Sequence, residues 1–256
     1  MRCSITAIAL AALAIGQAAA GPFRHAQLHR RKITMPENIQ YAEKRSLLSA
    51  VDEANLIGKL QLKQLGVNAV SKCAHSWIGK DGPYVNEVVN ESGEDLTVVV
   101  WGPMGSWVNA VQPQITISLA NGTSTHISFA SGAIGALSAV YPDTTNVMGQ
   151  LYNTWIEFTF APMGVVDVSR EVNMNGHVMS IEGPDCVSDM DTCVFKCSVD
   201  PATGVAPETC LEPYELVNCE NGSQPGATKG LHFGAETGGC GWLFKESAKF
   251  RTVFGA

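Results

Sequence analysis

The feature that most constrains how this chain folds is the run of residues 155–170, in which apolar and polar side chains alternate on both sides of a turn. Because successive side chains of a β-strand point to opposite faces, the run predicts two antiparallel strands joined at Pro162-Met-Gly. The inward face would hold Ile156, Phe158, Phe160, Val166 and Val168. The outward face would hold Trp155, Glu157, Thr159, Val165, Asp167 and Ser169. Two carboxylates and a tryptophan are therefore predicted to share an outer surface.

The sequence around this hairpin has the same β character. Residues 77–172 carry few charges and many β-branched and aromatic residues, with Gly, Pro and Asn at intervals. Several short strands separated by turn signals are typical of a β-sandwich, so we predict an all-β fold with its core in residues 73–183. The candidate strands are 84–89, 96–101, 114–119, 125–130, 136–140, 155–160 and 165–169.

The residues before this core are predicted to be removed or flexible. Residues 1–20 have the short apolar stretch and the small residues before a cleavage point, here after Ala20, that are typical of a secretory signal peptide. Residues 21–72 are interpreted as a basic, flexible region with one marginal helix. The dibasic pair Lys44-Arg45 predicts removal of a pro-segment after Arg45, and an uncut basic tail is the alternative.

The charge balance limits the class of partner. From Ser46 onward the chain has 10 basic and 22 acidic residues, a net charge of −12. Such a body would repel nucleic acid and anionic lipid, so neither nucleic acid nor a membrane is predicted as a partner once the signal peptide is gone. A neutral polysaccharide would not be repelled.

Residues 184–256 are rich in cysteine and are predicted to form a loop-rich part held by disulfides. This part is either a small subdomain or an elaborated sheet edge. Cys73 stands alone upstream, and it is either a free thiol or a partner that leaves another cysteine odd. Sequence does not determine the pairing. The disulfide candidates are Cys186, Cys193, Cys197, Cys210, Cys219 and Cys240.

Three sequons predict N-glycosylation, at Asn90, Asn121 and Asn221, and the first two fall in predicted turns. No cofactor and no metal site is predicted. Asp189-Met-Asp191 offers too few oxygen ligands for a hard cation, and Cys193 and Cys197 lack further ligands at zinc spacing. The string Gly238-Gly-Cys-Gly is interpreted as loop glycines.

The two outward acids are the candidates for chemistry. If both apolar faces point inward, the paired residue numbers must have an even sum, for example Glu157 opposite Asp167. Directly opposed Cβ atoms lie about 4.5–5.5 Å apart, so one carboxyl would have a raised pKa or a cation would lie between them. Three interpretations stay open: solvated acids balanced by Arg170 or a lysine, sugar binding without turnover, and glycoside hydrolysis.

Aromatic side chains near these acids could supply a stacking surface. Trp155 beside the acids would suit a sugar ring, as would Trp101 or Trp107 if they are exposed. A tryptophan in a strand is nevertheless more often part of a core. Trp77 and Trp107 are predicted to be core residues.

Long strings in this chain are similar to the secreted fungal allergens of the Asp f 4 type. They run through most of the chain between residues 77 and 241. The resemblance implies a secreted fungal protein recognised by IgE, and it implies no particular reaction. The strings are 77–83, 90–96, 107–113, 167–176 and 188–195.

A shorter set of segments resembles thaumatin-like proteins. Glu157-Phe-Thr-Phe, Asp167-Val-Ser and Val178-Met-Ser-Ile follow one another in the order and at the spacing of that family. The resemblance implies a thaumatin-like β-sandwich whose acidic cleft binds β-1,3-glucan and sometimes hydrolyses it. Glu157 and Asp167 match two of the cleft acids. A further acid of that family would fall on Val172, with Glu171 one place away.

Together these observations predict a secreted, non-catalytic protein that contacts wall polysaccharide such as β-glucan and is recognised by antibodies as an allergen. The glycan-binding candidates are Trp155, Glu157, Asp167 and Glu171. One alternative is a β-1,3-glucan hydrolase with Glu157 as general acid and Asp167 as nucleophile or electrostatic stabiliser. Another is a secreted effector that binds a host protein through the disulfide-rich part.

Overall fold

The computed structural model describes residues 47–72, 74–102, 108–210 and 212–255. Within these residues the chain is nearly all β, with one short α-helix, α1 (Ala50–Ala54), continued by a π-helical turn over Asn55–Lys59. The strands are β1 (Ser76–Ile78), β2 (Tyr84–Asn90), β3 (Leu96–Trp101), β4 (Ile115–Leu119), β5 (Ser124–Phe129), β6 (Ala133–Val140), β7 (Thr145–Val147), β8 (Gln150–Tyr152), β9 (Trp155–Phe160), β10 (Gly164–Ser169), β11 (Met179–Glu182), β12 (Val187–Ser188), β13 (Val194–Cys197), β14 (Tyr214–Val217), β15 (Ala227–His232), β16 (Ala235–Trp242) and β17 (Ala248–Phe254).

Strands β9 and β10 form the predicted hairpin. They are antiparallel, and Asp167 lies directly opposite Glu157. The register therefore has the even residue sum that the apolar pattern requires. All five side chains predicted to point inward are buried in the main core. The hairpin, its register and its inward face are confirmed.

Two sheets pack face to face around that core. The smaller sheet has the strand order β1-β5-β2-β17-β11-β12, and the larger has the order β14-β13-β10-β9-β6-β3-β4, with β16 joined to β10 and β15. Rings from both sheets meet between them: the ring centroid of Phe129 on β5 lies 4.9 Å from that of Phe158 and 4.5 Å from that of Phe160. The predicted all-β sandwich is confirmed.

The C-terminal part belongs to both sheets. β13, β14, β15 and β16 extend the larger sheet, and β17 runs parallel to β2 inside the smaller one. The boundary expected after residue 183 thus falls between strands of one sandwich. Gly238 to Gly241, interpreted above as a loop, lie in β16. The sequence does not predict this strand because its glycines and cysteine give no alternation of apolar and polar side chains.

Three disulfides tie this region together. They join Cys186 to Cys240, Cys193 to Cys219 and Cys197 to Cys210. All six predicted cysteines are therefore paired, which confirms the disulfide prediction and resolves the connectivity that the sequence left open.

The N-terminal segment, residues 47–65, packs on the face of the larger sheet that is turned away from the main core. Its helix begins after Ser49, whose side chain accepts a hydrogen bond from the Asp52 backbone, and it is 5 residues long. The segment is not free, however. Leu56 and Leu60 are fully buried and belong to a second apolar cluster with Trp101 and Trp155 of the sheet. Apolar burial against the sheet, rather than helix propensity, holds this segment.

Replacing a buried leucine of this segment is expected to destabilise the whole fold. Leu60→Ala should lower the free energy of unfolding by about 2–5 kcal/mol, because it leaves a cavity against the sheet. Ile57→Ala is the control, since Ile57 is 46% exposed, and it should change stability by about 0.5 kcal/mol or less. Urea denaturation followed by tryptophan fluorescence measures both. Equal losses would contradict the packing described here.

Several expectations concern residues outside the described ranges. The signal peptide with Ala20, the processing point at Arg45, Cys73 and Trp107 all lie outside them. Among the described residues, no helix has the length and apolar character that crossing a membrane requires.

Candidate functional site: a buried carboxyl cluster

Glu157 and Asp167 lie on the larger sheet, on the face turned away from the main core. Glu171 follows two residues after β10 ends, and its backbone carbonyl accepts a hydrogen bond from the Cys210 backbone (2.8 Å). We call Glu157, Asp167 and Glu171 the carboxyl cluster. The first two are held by the strand register, and the third is held by the chain beside the Cys197–Cys210 disulfide.

The carboxyl cluster is buried. Glu157 is 6% exposed, Asp167 0% and Glu171 7%. The expectation of a solvated outer surface is therefore wrong for these acids. The physical reason is that other segments pack around them: the N-terminal segment shares an apolar cluster with Trp155 and Val172, the neighbours of Glu157 and Glu171 along the chain, and β16 approaches Asp167 through Gly239.

Asp167 lies where the larger sheet divides. The edge of β10 away from β9 pairs with β16 over Gly164 to Val166, and then with the parallel β13 from Val168 onward. Where the partner changes, the Val168 N–H donates to the side chain of Ser188 in β12, at 2.7 Å to Oγ, instead of to a backbone carbonyl of a neighbouring strand. We call this point the fork of β10. Asp167 is therefore the residue at which the neighbour of β10 changes from β16 to β13.

A glycine of β16 allows the close approach of that strand to Asp167. Gly239 has a φ of +130°, and a Cβ atom there would lie 2.8 Å from the Val166 carbonyl oxygen and 3.0 Å from the Asp167 Cβ. Only glycine fits both the conformation and the space. The sequence signal for this residue was the Gly-Gly pair before Cys240, and the assignment of those glycines to a loop missed its role.

The carboxyl oxygens at the centre of the cluster have no hydrogen-bond partner in the part of the chain that the structure describes. Both Asp167 oxygens and Glu171 Oε1 are buried without a hydrogen bond among the described residues. Arg170, expected as a balancing charge, donates instead to the carbonyls of Met190 (3.1 Å) and Met174. Within the described ranges, no Lys, Arg or His forms an ion pair with any of the three acids. The expected balance by Arg170 is wrong.

Burial and mutual repulsion change how these acids titrate. Burial raises the pKa of Glu157 from 4.5 to about 7. Burial, then the charges of Glu157 and Glu171, raise the pKa of Asp167 well above its ordinary value. Burial and the Glu157 charge do the same to the pKa of Glu171. In mildly acidic solution the cluster therefore holds protonated carboxyls, which both donate and accept hydrogen bonds.

The tryptophans do not form an exposed stacking surface. Trp155 is buried, its Nε1 donates to the Leu151 carbonyl at 2.8 Å, and its ring meets the edge of Trp101 at 5.1 Å between centroids. The suggestion that Trp155 or Trp101 stacks on a sugar is therefore wrong, because the N-terminal segment covers both. Trp77 is a core residue as predicted, with its Nε1 donating to Asp81 at 2.7 Å.

The sequons differ in their surroundings. Asn90 is buried, and its Nδ2 donates to the carbonyls of Glu94 (2.8 Å) and Leu119 (2.9 Å), which leaves no room for a glycan on that nitrogen. The prediction at Asn90 is wrong because the side-chain amide is buried and uses its hydrogens to bind the backbone of a neighbouring turn. Asn121 and Asn221 are exposed, and glycosylation there stays a prediction.

A cavity elsewhere in the molecule does not involve the acids. It has a volume of about 340 Å³ and lies between the N-terminal segment and strands of both sheets. Ser49 and Ser118 contribute hydroxyls to its wall, and both hydrogen-bond with Asp52. No member of the carboxyl cluster lines it.

The fold and the site define a β-sandwich protein with opposed, buried acids on the outer face of one sheet. Residues 76–202 match the family model of the Allergen Asp f 4-like domain. The chain therefore carries an Asp f 4-like allergen domain, which confirms the family predicted from its sequence. The matched range includes all three acids of the carboxyl cluster.

Two further comparisons add little to this. A search of curated proteins gives no match. Among solved structures, the chain is similar to the protein elicitor MoHrip2 from Magnaporthe oryzae, with 13% sequence identity and a TM-score of 0.35, over 68% of this chain and 99% of that one.

Proposed function

We propose that this protein is secreted, is not an enzyme, and binds cell-wall glycans through the carboxyl cluster. The observation that carries the proposal is Asp167, which is fully buried with both carboxyl oxygens unpaired among the described residues. Leaving a buried polar group unpaired costs about 1–3 kcal/mol. Because a bound ligand would supply the missing partners, this unpaired acid supports a binding role.

A sugar fits the chemistry of the carboxyl cluster. Glu157 and Glu171 retain a small exposed fraction, whereas Asp167 lies fully inside. The two glutamates would form the entrance and Asp167 the floor of the site. Protonated carboxyls donate to one sugar hydroxyl while accepting from another, so three of them can hold a polyol without any aromatic stacking.

Glycoside hydrolysis is the second candidate, and the register favours it. Glu157 and Asp167 are directly opposed, a spacing compatible with a retaining glycosidase, and a pKa of about 7 suits Glu157 as a general acid. Catalysis would also require an ionised Asp167. Burial and its acidic neighbours raise the pKa of Asp167 in the same direction, which disfavours that state. Binding without turnover is therefore preferred.

Recognition by IgE and binding to a host protein are further proposals for other surfaces. The Asp f 4-like domain supports antibody recognition, and secretion is consistent with three disulfides. Both kinds of partner would contact exposed loops rather than the carboxyl cluster. A glycan-binding assay therefore tests the carboxyl cluster independently of antibody recognition and of any host protein.

Retention on insoluble wall polymers tests the proposal. We expect the protein to sediment with β-glucan or chitin, and Asp167→Ala to weaken retention by about tenfold, since leaving the bonded sugar hydroxyl without its partner costs about 1–3 kcal/mol. Glu220→Gln, an exposed acid outside the cluster, is the control and should bind like the wild type. Absence of retention on every wall polymer would refute the proposal. Release of reducing sugar that Glu157→Gln abolishes would replace it with hydrolysis.

A further inference from the structure

The three acids of the carboxyl cluster form no ion pair with a positively charged side chain within residues 47–72, 74–102, 108–210 and 212–255. The lysines of the surrounding strands are engaged elsewhere: Lys229 of β15 with Glu236 of β16 at 3.3 Å, and Lys196 of β13 with Asp191 at 2.9 Å. Glu215 of β14 lies opposite Lys196 in the register.

The other neighbouring segments supply no balancing charge either. Arg170 is bound to backbone carbonyls, and β6, which pairs with β9, contains no titratable residue. In the N-terminal segment, Lys59 Nζ donates to the Pro142 carbonyl and Lys63 is exposed. Any cation that balances the cluster must therefore come from outside the described residues.

We infer that the preferred ligand of the carboxyl cluster is a glycan with free amino groups, that is, glucosamine residues, whose ammonium group pairs with Asp167 while neighbouring sugar hydroxyls bond to Glu157 and Glu171. This inference rests on the proposed function and names the class of sugar that the site selects. The body of the chain after Ser46, with a net charge of −12, favours the approach of the same class of ligand.

An ammonium group suits the site better than a neutral hydroxyl. It offers three hydrogen-bond donors, and bonds between charged partners are roughly twice as strong as neutral ones. The unpaired acceptors inside are the two oxygens of Asp167 and Oε1 of Glu171. A neutral glucan could satisfy these oxygens only while the acids stay protonated, whereas an amino sugar would also stabilise their ionised form.

A metal ion fits this cluster less well. Among the described residues, the only group of three possible ligands with atoms within 4.8 Å of one another consists of Cys186, Cys193 and Cys240, which are in disulfides. The three carboxyls therefore do not converge closely enough for one compact cation. An ammonium group that pairs with Asp167 alone, on a sugar whose hydroxyls bond to the other two acids, does not require such convergence.

Calorimetric titration with oligosaccharides of equal length tests the inference. The probes are the tetramers of glucosamine, N-acetylglucosamine and β-1,3-linked glucose, at about pH 5.5, where Glu157 with its pKa of about 7 is mostly protonated. We expect the glucosamine tetramer to bind at least about tenfold more tightly than the other two. Its binding should also release protons, seen as a dependence of the heat on the buffer, because the ammonium group drives the carboxyls to ionise.

Variants separate the carboxyl cluster from general attraction to an acidic protein. Asp167→Asn should abolish the preference for the glucosamine tetramer and the proton release, whereas Glu220→Gln should change neither. Thermal melts confirm that each variant is folded. A preference that survives in folded Asp167→Asn, or an equal response to spermine, would overturn the inference.

The inference and the proposed function fail differently. Binding of the neutral tetramers that depends on Asp167, without any preference for amino groups, would refute the inference and leave the proposed function standing. Absence of binding by all three sugars would refute both. Calcium chloride that releases protons where the glucosamine tetramer does not would also overturn the amino-sugar assignment.

Discussion

The free energy of unfolding is expected to fall by about 3 kcal/mol, from Glu157 alone, as the pH rises from about 4.5 to above 7. Burial raises the pKa of this carboxyl from 4.5 to about 7, and each pKa unit corresponds to about 1.4 kcal/mol. The raised pKa values of Asp167 and Glu171 act in the same direction, so the total fall should be larger. Urea denaturation at a series of pH values measures it.

The direction follows from where the protons are. Between these two pH values the folded protein keeps a proton on Glu157 that the unfolded chain has already lost. Stability is then fully present below the unfolded pKa of 4.5 and is lost as the pH rises through the folded pKa of about 7. Most proteins with paired surface carboxylates show the opposite trend on the acid side.

Glu157→Gln should flatten this pH dependence. The variant removes one ionisable buried group, and it removes a charge that raises the pKa of both Asp167 and Glu171. We therefore expect the variant to be more stable than the wild type at about pH 8 and close to it at about pH 4.5. Glu220→Gln, on an exposed loop, should leave the profile unchanged. A wild-type profile that is flat or rises from pH 4.5 to 8 would show that the acids are not buried as described.

Removing the Cys186–Cys240 disulfide is expected to cost about 4 kcal/mol of unfolding free energy. Its cysteines are 54 residues apart, so the bond restricts a long loop in the unfolded chain. Both cysteines should be replaced by alanine together. The Cys193 sulfur lies within 4.8 Å of both, and a single remaining thiol could attack the neighbouring disulfide.

The shorter Cys197–Cys210 bond provides the comparison. Its cysteines are 13 residues apart, and the same relation gives a loss of about 3 kcal/mol for the double alanine variant. Loss of Cys186–Cys240 should also weaken glycan retention, because Cys240 follows Gly239, which approaches Asp167 at the fork of β10. Guanidinium denaturation and the wall-polymer assay test the two effects. If either double alanine variant is as stable as the wild type, that disulfide does not stabilise the fold.

The hairpin around the acids could be predicted in detail because its information is local. Alternation in 155–170 sets which side chains point inward. It also requires that the numbers of two paired residues have an even sum, and the structure meets this with Glu157 opposite Asp167. The seven candidate strands match β2, β3, β4, β5, β6, β9 and β10 within a few residues at each end. The family likewise follows from long strings of sequence, and its domain covers residues 76–202.

The burial of the acids could not be predicted in this way. Parity states which face a side chain occupies, but it does not state what covers that face. Leu56 and Leu60, about a hundred residues upstream, pack beside Trp155, and Gly239 closes on Asp167 from a strand about seventy residues downstream. Both contacts join segments that no local pattern connects.

The sequence by itself determined the β-sandwich class, the Asp f 4-like family, the set of paired cysteines and the common face of Glu157 and Asp167, because each depends on residue type and short-range periodicity. The tertiary structure alone decided that these acids are buried, that Asp167 has no hydrogen-bond partner among the described residues, and that Glu171 joins them near the fork of β10. Solvent exposure and charge balance depend on which distant segments pack together. For this reason the acids that the sequence predicts at the surface are instead a buried carboxyl cluster with raised pKa values.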